Sequence, residues 1–348
     1  MKTTKKKLRT ISDLINKLKK NYFNFNLVIT YLAVLNLNVE KIIFDKKDKK
    51  NPIVRVNKLL DILIAQLKLI KPVEKFGKNE KLKIKNFKLE KDHQEIFNNL
   101  WVNYSFKEYT RKRIGRYLMR IKINNLKDKI KNKNVIDFGC GHGNFLLACK
   151  KTGAKSCLGI DYGKDSINYV KSYMNLKQNR HLKKSCKFYF RSIYNPKVKA
   201  GYFDFAIQNG VFHHMKDEKR AYQQVYKALK PGGYFWVYTD GGGGLRDMVF
   251  DATQKILKNF DKKFIINKLR QMGLTTDKQY HLGDGFTAKY RHSTYEKMCR
   301  FLKSIGFENF KQLNGGCETD FDKPFYKIKY FKERFGSGDL RILCQKKI

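Results

Sequence analysis

Three glycines alternate in the segment VIDFGCGHGNF, residues 135–145, directly after an apolar run that contains an acid. A glycine-rich turn after a buried strand lets backbone N–H groups approach the polar end of a ligand, because no Cβ stands in the way. Three ligand ends suit such a turn: a dinucleotide pyrophosphate, a nucleoside triphosphate and an amino-acid carboxylate. The neighbouring residues must decide among them.

Asp137 and the glycine spacing favour the amino-acid end. The dinucleotide-binding pattern is G-x-G-x-x-G, whereas Asn144 stands here where that pattern has its third glycine. The phosphate-binding pattern G-x-x-x-x-G-K-[ST] is absent from the sequence. An acid two residues before the first glycine repels a phosphate and attracts an ammonium group. We therefore predict a zwitterionic ligand whose amino group lies near Asp137.

Asp161 supplies the second half of this hypothesis. It ends the next apolar run, LGID, at the place where an acid accepts hydrogen bonds from ribose hydroxyls. A ligand with an amino-acid end and a ribose end is S-adenosylmethionine (SAM).

Strands and helices alternate around these residues. The pattern predicts strands at 134–138, 157–161, 187–191, 202–208 and 234–239, helices at 144–151, 165–176 and 217–229, and a turn at 230–233. Such a rhythm indicates an α/β fold with a parallel, doubly wound sheet and right-handed crossovers. A helix at 293–306 and strands at 307–313 and 339–347 close the chain, which indicates an antiparallel addition at one edge.

Four segments in order carry a family resemblance: VIDFGCGHGNF, LGIDYGKDSI, GYFDFAIQNGVFHHMKD and ALKPGGYFWVY. Together they resemble the signature blocks of class I SAM-dependent methyltransferases, over about residues 130–240 and more weakly at the end of the chain. The resemblance implies a Rossmann-like, seven-stranded sheet of order 3-2-1-4-5-7-6 with an antiparallel last strand. It also implies an enzyme that uses SAM as its methyl donor.

The resemblance implies a cofactor site, residue by residue. The methionine end would be lined by Asp137, Gly139, Cys140 and Gly141, the ribose by Asp161, the adenine by Tyr162, Ser192 and Ile193, and the methyl side by Gln208 and Asn209. Ser192 stands where the family usually carries an acid, so its contact with the adenine amino group is an open point. We expect no metal site, because the seven His and seven Cys are dispersed.

Candidate bases follow the fourth strand and recur later. A base is required only where the methyl acceptor carries a proton at neutral pH. His214 is the first candidate, although a His at this place also commonly belongs to the turn that packs on the sheet. His281, Asp284 and His292 are further candidates.

The methyl acceptor is predicted from what the chain lacks. Amino-methylating nucleic-acid enzymes of this fold typically show [DNS]-P-P-[YFW] after the fourth strand, whereas this chain has QNGV. We therefore expect the methyl acceptor to be a hydroxyl or an amine on a small molecule, a sugar or a lipid-type compound. Methyl transfer to RNA or protein is the alternative; a non-catalytic polyanion-binding protein and a Rossmann-type oxidoreductase are rival functions of other classes.

Composition bears on partners and compartment. A net charge of +44 favours polyanions, yet Lys outnumbers Arg roughly four to one and is spread along the chain, as biased codon usage would produce. Nucleic acid is thus an open but not a favoured partner. The apolar stretch 27–37 is too short for a membrane span. No export signal is evident, and we expect a cytoplasmic protein with reduced thiols.

The chain divides near residue 92 in this interpretation. Residues 1–92 form a Lys-rich accessory region that is predicted to be helical, since apolar residues recur at helical spacing in 58–70. Residues 93–348 form the methyltransferase domain, with insertions at about 240–292 and 314–338 that we expect to act as lids. Gly241 to Gly244 indicate a hinge or a close backbone approach.

Overall fold

The computed structural model describes residues 1–18, 22–45, 47, 49–70, 104–258, 260–287, 291–317, 320, 322 and 324–348. Helices within these ranges are α1 Lys2–Lys17, α2 Tyr22–Phe44, α3 Pro52–Leu69, α4 Phe106–Glu108, α5 Gly115–Ile123, α6 Lys127–Ile130, α7 Asn144–Lys151, α8 Lys164–Asn175, α9 Glu218–Ala228, α10 Leu245–Leu257, α11 Lys262–Gln271, α12 Thr276–Thr287, α13 Tyr295–Ile305 and α14 Phe331–Phe335. Strands are β1 Asn134–Phe138, β2 Ser156–Asp161, β3 Cys186–Phe190, β4 Phe203–Asn209, β5 Leu229–Asp240, β6 Phe307–Gln312 and β7 Asp339–Lys346.

The chain forms two compact units. A helical unit comprises Met1–Asp92, Gly242–Lys289 and Lys327–Ser337, and a sheet unit comprises His93–Gly241, Tyr290–Tyr326 and Gly338–Ile348. The predicted domain boundary at residue 92 lies outside the described residues. The described residues 245–258 and 260–287, which fall within the predicted insertion at about 240–292, carry three helices.

The sheet unit is built on one seven-stranded sheet of order β3-β2-β1-β4-β5-β7-β6. Strands β1 to β5 pair in parallel, and β7 runs antiparallel between β5 and β6, so the predicted fold class and strand order are confirmed. All five residues of β1 are buried, as expected where helices cover both faces of a parallel sheet. The carboxyl ends of β1 to β5 therefore meet at one edge, where ligands bind in open α/β sheets.

Two apolar layers hold the sheet. On one face, residues such as Val135, Phe205 and Trp236 pack with the buried side of α7. On the other face, Ile136, Ala206 and Phe235 pack with α9 and α13. The alternation follows the two-residue period of a strand, and it explains why β1, β4 and β5 appear as unbroken apolar runs in the sequence.

The predicted turn KPGG, residues 230–233, lies inside β5 rather than before it. Leu229 pairs with Phe203, and the next pair is Tyr234 with Phe205, so the strand bulges between them. Gly232 has a φ of +71°, which this local excursion requires.

The helical unit joins the N-terminal helices to the first insertion. Helix α1 packs on α3, and α2 packs on α10 and α11. Asn36 of α2 donates a hydrogen bond to Thr253 of α10 at 3.0 Å, and both residues are buried. The described residues between 242 and 287 therefore contribute to the core of this unit, and a lid role for this segment stays a prediction.

A buried ion pair stabilises the same unit. Glu40 of α2 is 4% exposed and contacts Lys278 at 2.6 Å and His281, both from α12. Burial opposes ionisation of Glu40, but the hydrogen bonds and charges of His281 and Lys278 outweigh it and lower the pKa of Glu40 to about 2. His281, a candidate base in the sequence, is thereby engaged in the helical unit.

Helix α2 is longer than its apolar stretch suggested. Its Asn24–Phe44 segment of 21 residues, with a mean hydropathy of 1.6, has the length and composition of a membrane span. However, 56% of that apolar window is buried within the protein, as in the core helix of a globular unit, so this helix is weak evidence for a span.

Candidate active site

The glycine turn connects β1 to α7 at the carboxyl edge of the sheet. Gly139, Gly141 and Gly143 all have positive φ, at +87°, +51° and +74°. A Cβ on Gly139 would come within 2.6 Å of Val211, and one on Gly143 within 2.4 Å of Phe188, so these two glycines serve close packing. A Cβ on Gly141 would meet no atom of the described chain within 4 Å. Gly141 is therefore the glycine that faces open space, where a ligand can approach backbone.

Asp137 lies beneath this turn with an open acceptor. Its side chain is 3% exposed, and among the described residues its Oδ1 has no hydrogen-bond partner. Burial, and next the charge of Asp161, raise the pKa of Asp137 well above its usual range. A buried carboxyl group without a partner is costly, and a cationic ligand group that reached it would remove that cost.

Asp161 ends β2 with both carboxylate oxygens anchored. Its Oδ2 accepts the N–H of Gly141 at 2.7 Å, and its Oδ1 accepts the N–H of Gly163 at 2.7 Å. Burial raises the pKa of Asp161, and these backbone hydrogen bonds oppose the rise. Each carboxylate oxygen can accept a second hydrogen bond, so the group keeps capacity for two hydroxyls in a fixed orientation.

An aromatic pair borders Asp161. Tyr162 is 49% exposed, and its ring stacks on Phe190 at the end of β3 with centroids 4.9 Å apart and planes at 29°. Sequence reasoning missed Phe190, which the strand pairing of Asp161 with Phe190 brings to this place. Ile193 is buried and Ser192 is half-buried on the same loop, where Ser192 Oγ accepts the N–H of Tyr194.

The side-chain amides of Gln208 and Asn209, at the end of β4, differ in burial and in hydrogen bonding. The Gln208 side chain is fully buried; it donates to Tyr222 Oη and to the carbonyl of Tyr238, and it accepts from the N–H of Val211. Its side chain therefore supports the turn from below, and its contact with the cofactor stays a prediction. Asn209 is half-buried and stays at the surface of the site.

The Asn209 amide is oriented from two sides. Trp236 Nε1 donates to its Oδ1 at 3.2 Å, and its Nδ2 donates to the hydroxyl of Tyr117 at 3.0 Å. Tyr117 stacks on Phe145 of α7 with centroids 4.6 Å apart. These partners hold Asn209 in one rotamer and leave one N–H and one lone pair of its amide available.

A π-helical turn, Tyr109–Ile114, supports the glycine turn from outside. Tyr109 is 1% exposed and donates a hydrogen bond to the carbonyl of His142 within the turn. Burial, followed by the nearby Tyr169 and Tyr173, raises the pKa of Tyr109 well above its usual range, so it remains a neutral donor. Single π-helical turns occur often at functional sites, and this one sets Tyr109 against the turn.

The two adjacent histidines after β4 occupy different environments. His213 is 3% exposed, and its Nδ1 lies 3.2 Å from the hydroxyl of Thr239 on β5. His214 is half-buried, and its ring stands 4.0 Å from that of His213. His213 thus packs on the sheet, while the role of His214 as a base stays a prediction.

The segment 291–293 crosses the ends of β4 and β5. The N–H of Arg291 donates to the carbonyl of His213 at 3.1 Å, and the N–H of Ser293 donates to the carbonyl of Asp240 at 3.2 Å. His292, held between these two bonds, places Nδ1 at 3.2 Å from Asp240 Oδ2. An Asp–His pair therefore stands at the carboxyl end of β5, and of the later candidates only His292 lies in the sheet unit with the glycine turn.

A buried ion network stands beside this pair. Arg341, 1% exposed, donates to Asp320 at 2.9 Å, to Asp339 at 3.0 Å and to Asp322. Arg120 donates to both oxygens of Asp320 at 2.8 and 3.0 Å. Burial opposes ionisation of Asp320, but the charges of Arg341 and Arg120 outweigh it and lower the pKa of Asp320. The network fastens the loop after β6 to the sheet.

These groups fit the parts of SAM. Asp137 Oδ1 is an open acceptor for an ammonium group, Gly141 leaves room for a carboxylate at backbone, Asp161 can accept from two ribose hydroxyls, and Tyr162 offers an exposed ring to adenine. Within the described ranges no group of three or more His, Cys, Asp or Glu side chains could hold a metal ion. The sheet order and this set of groups define the class of Rossmann-like SAM-binding methyltransferases.

Comparison with known proteins gives the family. Residues 106–278, about half of the chain, match the sequence profile described as a methyltransferase domain. The chain belongs to the class I SAM-dependent methyltransferases, and its cofactor is SAM.

Individual relatives are distant or match short segments. A ribosomal protein L11 methyltransferase of Histophilus somni (strain 2336) is 51% identical over 47 residues, which are 14% of this chain and 15% of that relative. A tRNA U34 carboxymethyltransferase of Idiomarina loihiensis is 26% identical over 106 residues, 30% of this chain and 32% of that protein. A crystal structure from Thermotoga maritima, described as a SAM-dependent methyltransferase and possible histamine N-methyltransferase, is 19% identical and covers 73% of this chain and 99% of its own, with a TM-score of 0.45.

Proposed function

We propose that this protein transfers the methyl group of SAM to an acceptor held above the carboxyl ends of β4 and β5. The observation that carries the proposal is the pair of carboxyl groups at the ends of β1 and β2: Asp137 with an open buried oxygen, and Asp161 with both oxygens fixed by backbone N–H groups. A zwitterion joined to a ribose satisfies both, whereas a dinucleotide or a nucleoside triphosphate presents phosphate, and no ammonium group, to such a turn.

The chain's own residues bind and orient. Bound SAM supplies an electrophilic methyl group on a sulfonium centre. Asp137 would hold the amino group, the backbone of the glycine turn the carboxylate, and Asp161 the ribose. Tyr162 would cover the adenine with Phe190 stacked behind it. Asn209, fixed by Trp236 and Tyr117, would place its remaining amide groups toward the reacting atoms.

We further propose that His292 accepts the acceptor's proton. Asp240, 3.2 Å from His292 Nδ1, orients the imidazole so that Nε2 can accept a proton, as a carboxylate does for a general base. This arrangement suits a hydroxyl or an amine, the acceptor groups that carry a proton at neutral pH. His214 is the competing candidate.

Matched variants distinguish His292 from His214 as the base. His292→Asn should lower kcat by about 100-fold or more, the scale of general-base catalysis, and leave the affinity for SAM within about twofold. His214→Asn serves as the control. If His214→Asn alone abolishes turnover, the base is His214.

We propose a small molecule as the acceptor, because the chain lacks the base-stacking prolines expected after β4 in amino-methylating nucleic-acid enzymes. RNA is the second candidate, supported by the similarity of 30% of this chain to a tRNA-modifying enzyme. The test is to incubate the purified protein with radiolabelled SAM and, separately, the small-molecule, RNA and protein fractions of a cell extract. Label in the small-molecule fraction supports the first candidate and label in RNA the second. Incorporation into none of the fractions, with SAM binding intact, would contradict methyl transfer.

A further inference from the structure

A strip of basic side chains runs along the β3 edge of the sheet unit. We define it as the basic edge: Lys171 of α8, Lys177, Arg180, Lys183 and Lys184 of the 3-10 helix Lys177–Lys184, and Lys187 of β3. All six are exposed. Helix α8, the 3-10 helix and β3 pack on one another, so these charges lie on one continuous surface.

The charge of this surface is not balanced by acids. The chain holds 31 Asp and Glu residues, yet none occurs between Ser166 and Phe203. Biased codon usage spreads Lys along a chain but gives no reason for acids to vanish from one 3-10 helix and the strand beside it. A local field of one sign attracts polyanions by counterion release.

Aromatic and cationic side chains alternate on β3. Lys187 and Tyr189 project from the same face of this strand, which is the end strand of the sheet, and Arg191 follows at the same spacing. Tyr189 is 37% exposed, and the Arg191 guanidinium lies 4.1 Å from its ring centroid. Arg191 also donates to the carbonyl of Lys197 at 3.2 Å, which fixes the guanidinium over the ring. The pair forms a flat, rigid, cationic platform at the surface.

The composition of the basic edge decides what it fits. Lysines on an end strand also prevent strand pairing between molecules, but that purpose requires neither an exposed ring nor an acid-free helix. A membrane surface would call for exposed aliphatic side chains, whereas the 3-10 helix exposes Gln178, Arg180 and His181. Spaced cations with a stacking ring are the features by which proteins bind single-stranded nucleic acid.

We propose that the basic edge binds single-stranded RNA, with phosphates on the lysines and one base stacked on Tyr189. The surface lies on the sheet unit alone and uses none of the residues assigned to SAM. It gives the enzyme an RNA contact that is independent of the identity of the methyl acceptor.

The test is binding of a short fluorescent oligouridine to the full chain, followed by anisotropy at several salt concentrations. Lys183→Glu/Lys184→Glu should weaken binding at least about tenfold and flatten its salt dependence. The control, Lys297→Glu/Lys303→Glu, makes the same charge change at exposed positions of α13 and should stay within about threefold. Tyr189→Ala should weaken RNA binding by about 5- to 160-fold, the range of one lost base stack, and leave binding of inorganic polyphosphate within about twofold. SAM affinity should be unchanged in every variant.

Several results would overturn the proposal. Equal weakening in the α13 control would assign binding to net charge alone. Equal RNA affinity of wild type and Tyr189→Ala would contradict the stacking of a base on Tyr189. Tighter binding to phosphatidylserine vesicles than to oligouridine, with the same dependence on Lys183 and Lys184, would identify a membrane surface instead.

Discussion

Replacement of Asp137 by asparagine should stabilise the cofactor-free protein and weaken SAM binding by about 30-fold or more. The variant keeps the shape of the side chain and removes its charge. In the folded protein the carboxyl is buried, its Oδ1 has no hydrogen-bond partner among the described residues, and its pKa is raised, first by burial and then by Asp161. Removing an unsatisfied charged group of this kind should raise the free energy of unfolding by about 1–3 kcal/mol.

The sign of the effect follows from the direction of the pKa shift. A carboxyl whose folded pKa lies above its unfolded pKa lowers stability as pH rises from the unfolded value, about 4, through the folded value. Wild type and Asp137→Asn should therefore have similar melting temperatures near pH 4. The melting temperature of the variant should rise above that of wild type as pH increases. The difference should reach about 1–4 °C at pH 7.5, at about 1.4 °C per kcal/mol for a chain of 348 residues.

The same substitution should lower the affinity for SAM, although it raises the stability of the cofactor-free protein. Loss of the charge partner of a buried ammonium group costs about 2–5 kcal/mol, which is a weakening of about 30-fold or more. The assay is differential scanning fluorimetry from pH 4 to 7.5 with and without SAM, with Asp128→Asn, an exposed acid on α6, as control. A variant that melts below wild type at pH 7.5, or that binds SAM within about twofold of wild type, would refute this account of Asp137.

Three further predictions concern linkage and buried charge. SAM binding should release protons below the raised pKa of Asp137, because the ligand's ammonium group favours the carboxylate; calorimetry in buffers of different ionisation enthalpy measures this release, and buffer-independent heats throughout pH 4 to 7.5 would contradict it. Arg341→Met should lower the free energy of unfolding by about 3–5 kcal/mol, since buried Asp322 and Asp339 lose this cation and Asp320 keeps Arg120; an unchanged urea midpoint would be the contrary result. Glu40→Gln should lower the free energy of unfolding by about 3 kcal/mol at pH 7, because the pKa of Glu40 is about 2 in the folded protein and 4.5 in the unfolded chain. The difference in stability between wild type and variant should narrow as pH falls from 4.5 towards 2, and a pH-independent difference would argue against the ion pair.

The parts of the site that sequence predicted are those that backbone geometry dictates. Asp137 and Asp161 end consecutive parallel strands, and any such strands end at the same edge of the sheet. The three glycines have positive φ, so their spacing carries the shape of the turn. The strand order was implied by the family resemblance, and the structure confirms it.

The parts that sequence reasoning missed depend on partners far apart in the chain. Phe190 reaches Tyr162 only through the pairing of β2 with β3, and His292 reaches Asp240 only because backbone bonds hold 291–293 across two strand ends. Arg120 meets Asp320 across 200 positions of sequence. No local pattern encodes these contacts, since each is made by the tertiary fold.

Helix α12 shows how packing overrides propensity. Gly283 and Gly285 lie inside it, and each glycine disfavours a helix interior by about 1 kcal/mol. In the structure a Cβ on Gly283 would come within 2.6 Å of Ile266, and one on Gly285 within 2.2 Å of Phe250. The glycines permit close helix contact, and that burial offsets their propensity cost.

The central claim is that the glycine turn and its two acids bind SAM. The most direct measurement is isothermal titration of the purified protein with SAM and with NAD, in wild type, in Asp161→Ala and in Asp165→Ala, an exposed acid four positions later. We predict that wild type and Asp165→Ala bind SAM equally, that Asp161→Ala weakens SAM binding by about 1–3 kcal/mol, and that NAD gives no binding. Binding of NAD without binding of SAM, or equal SAM affinity in all three proteins, would contradict the claim.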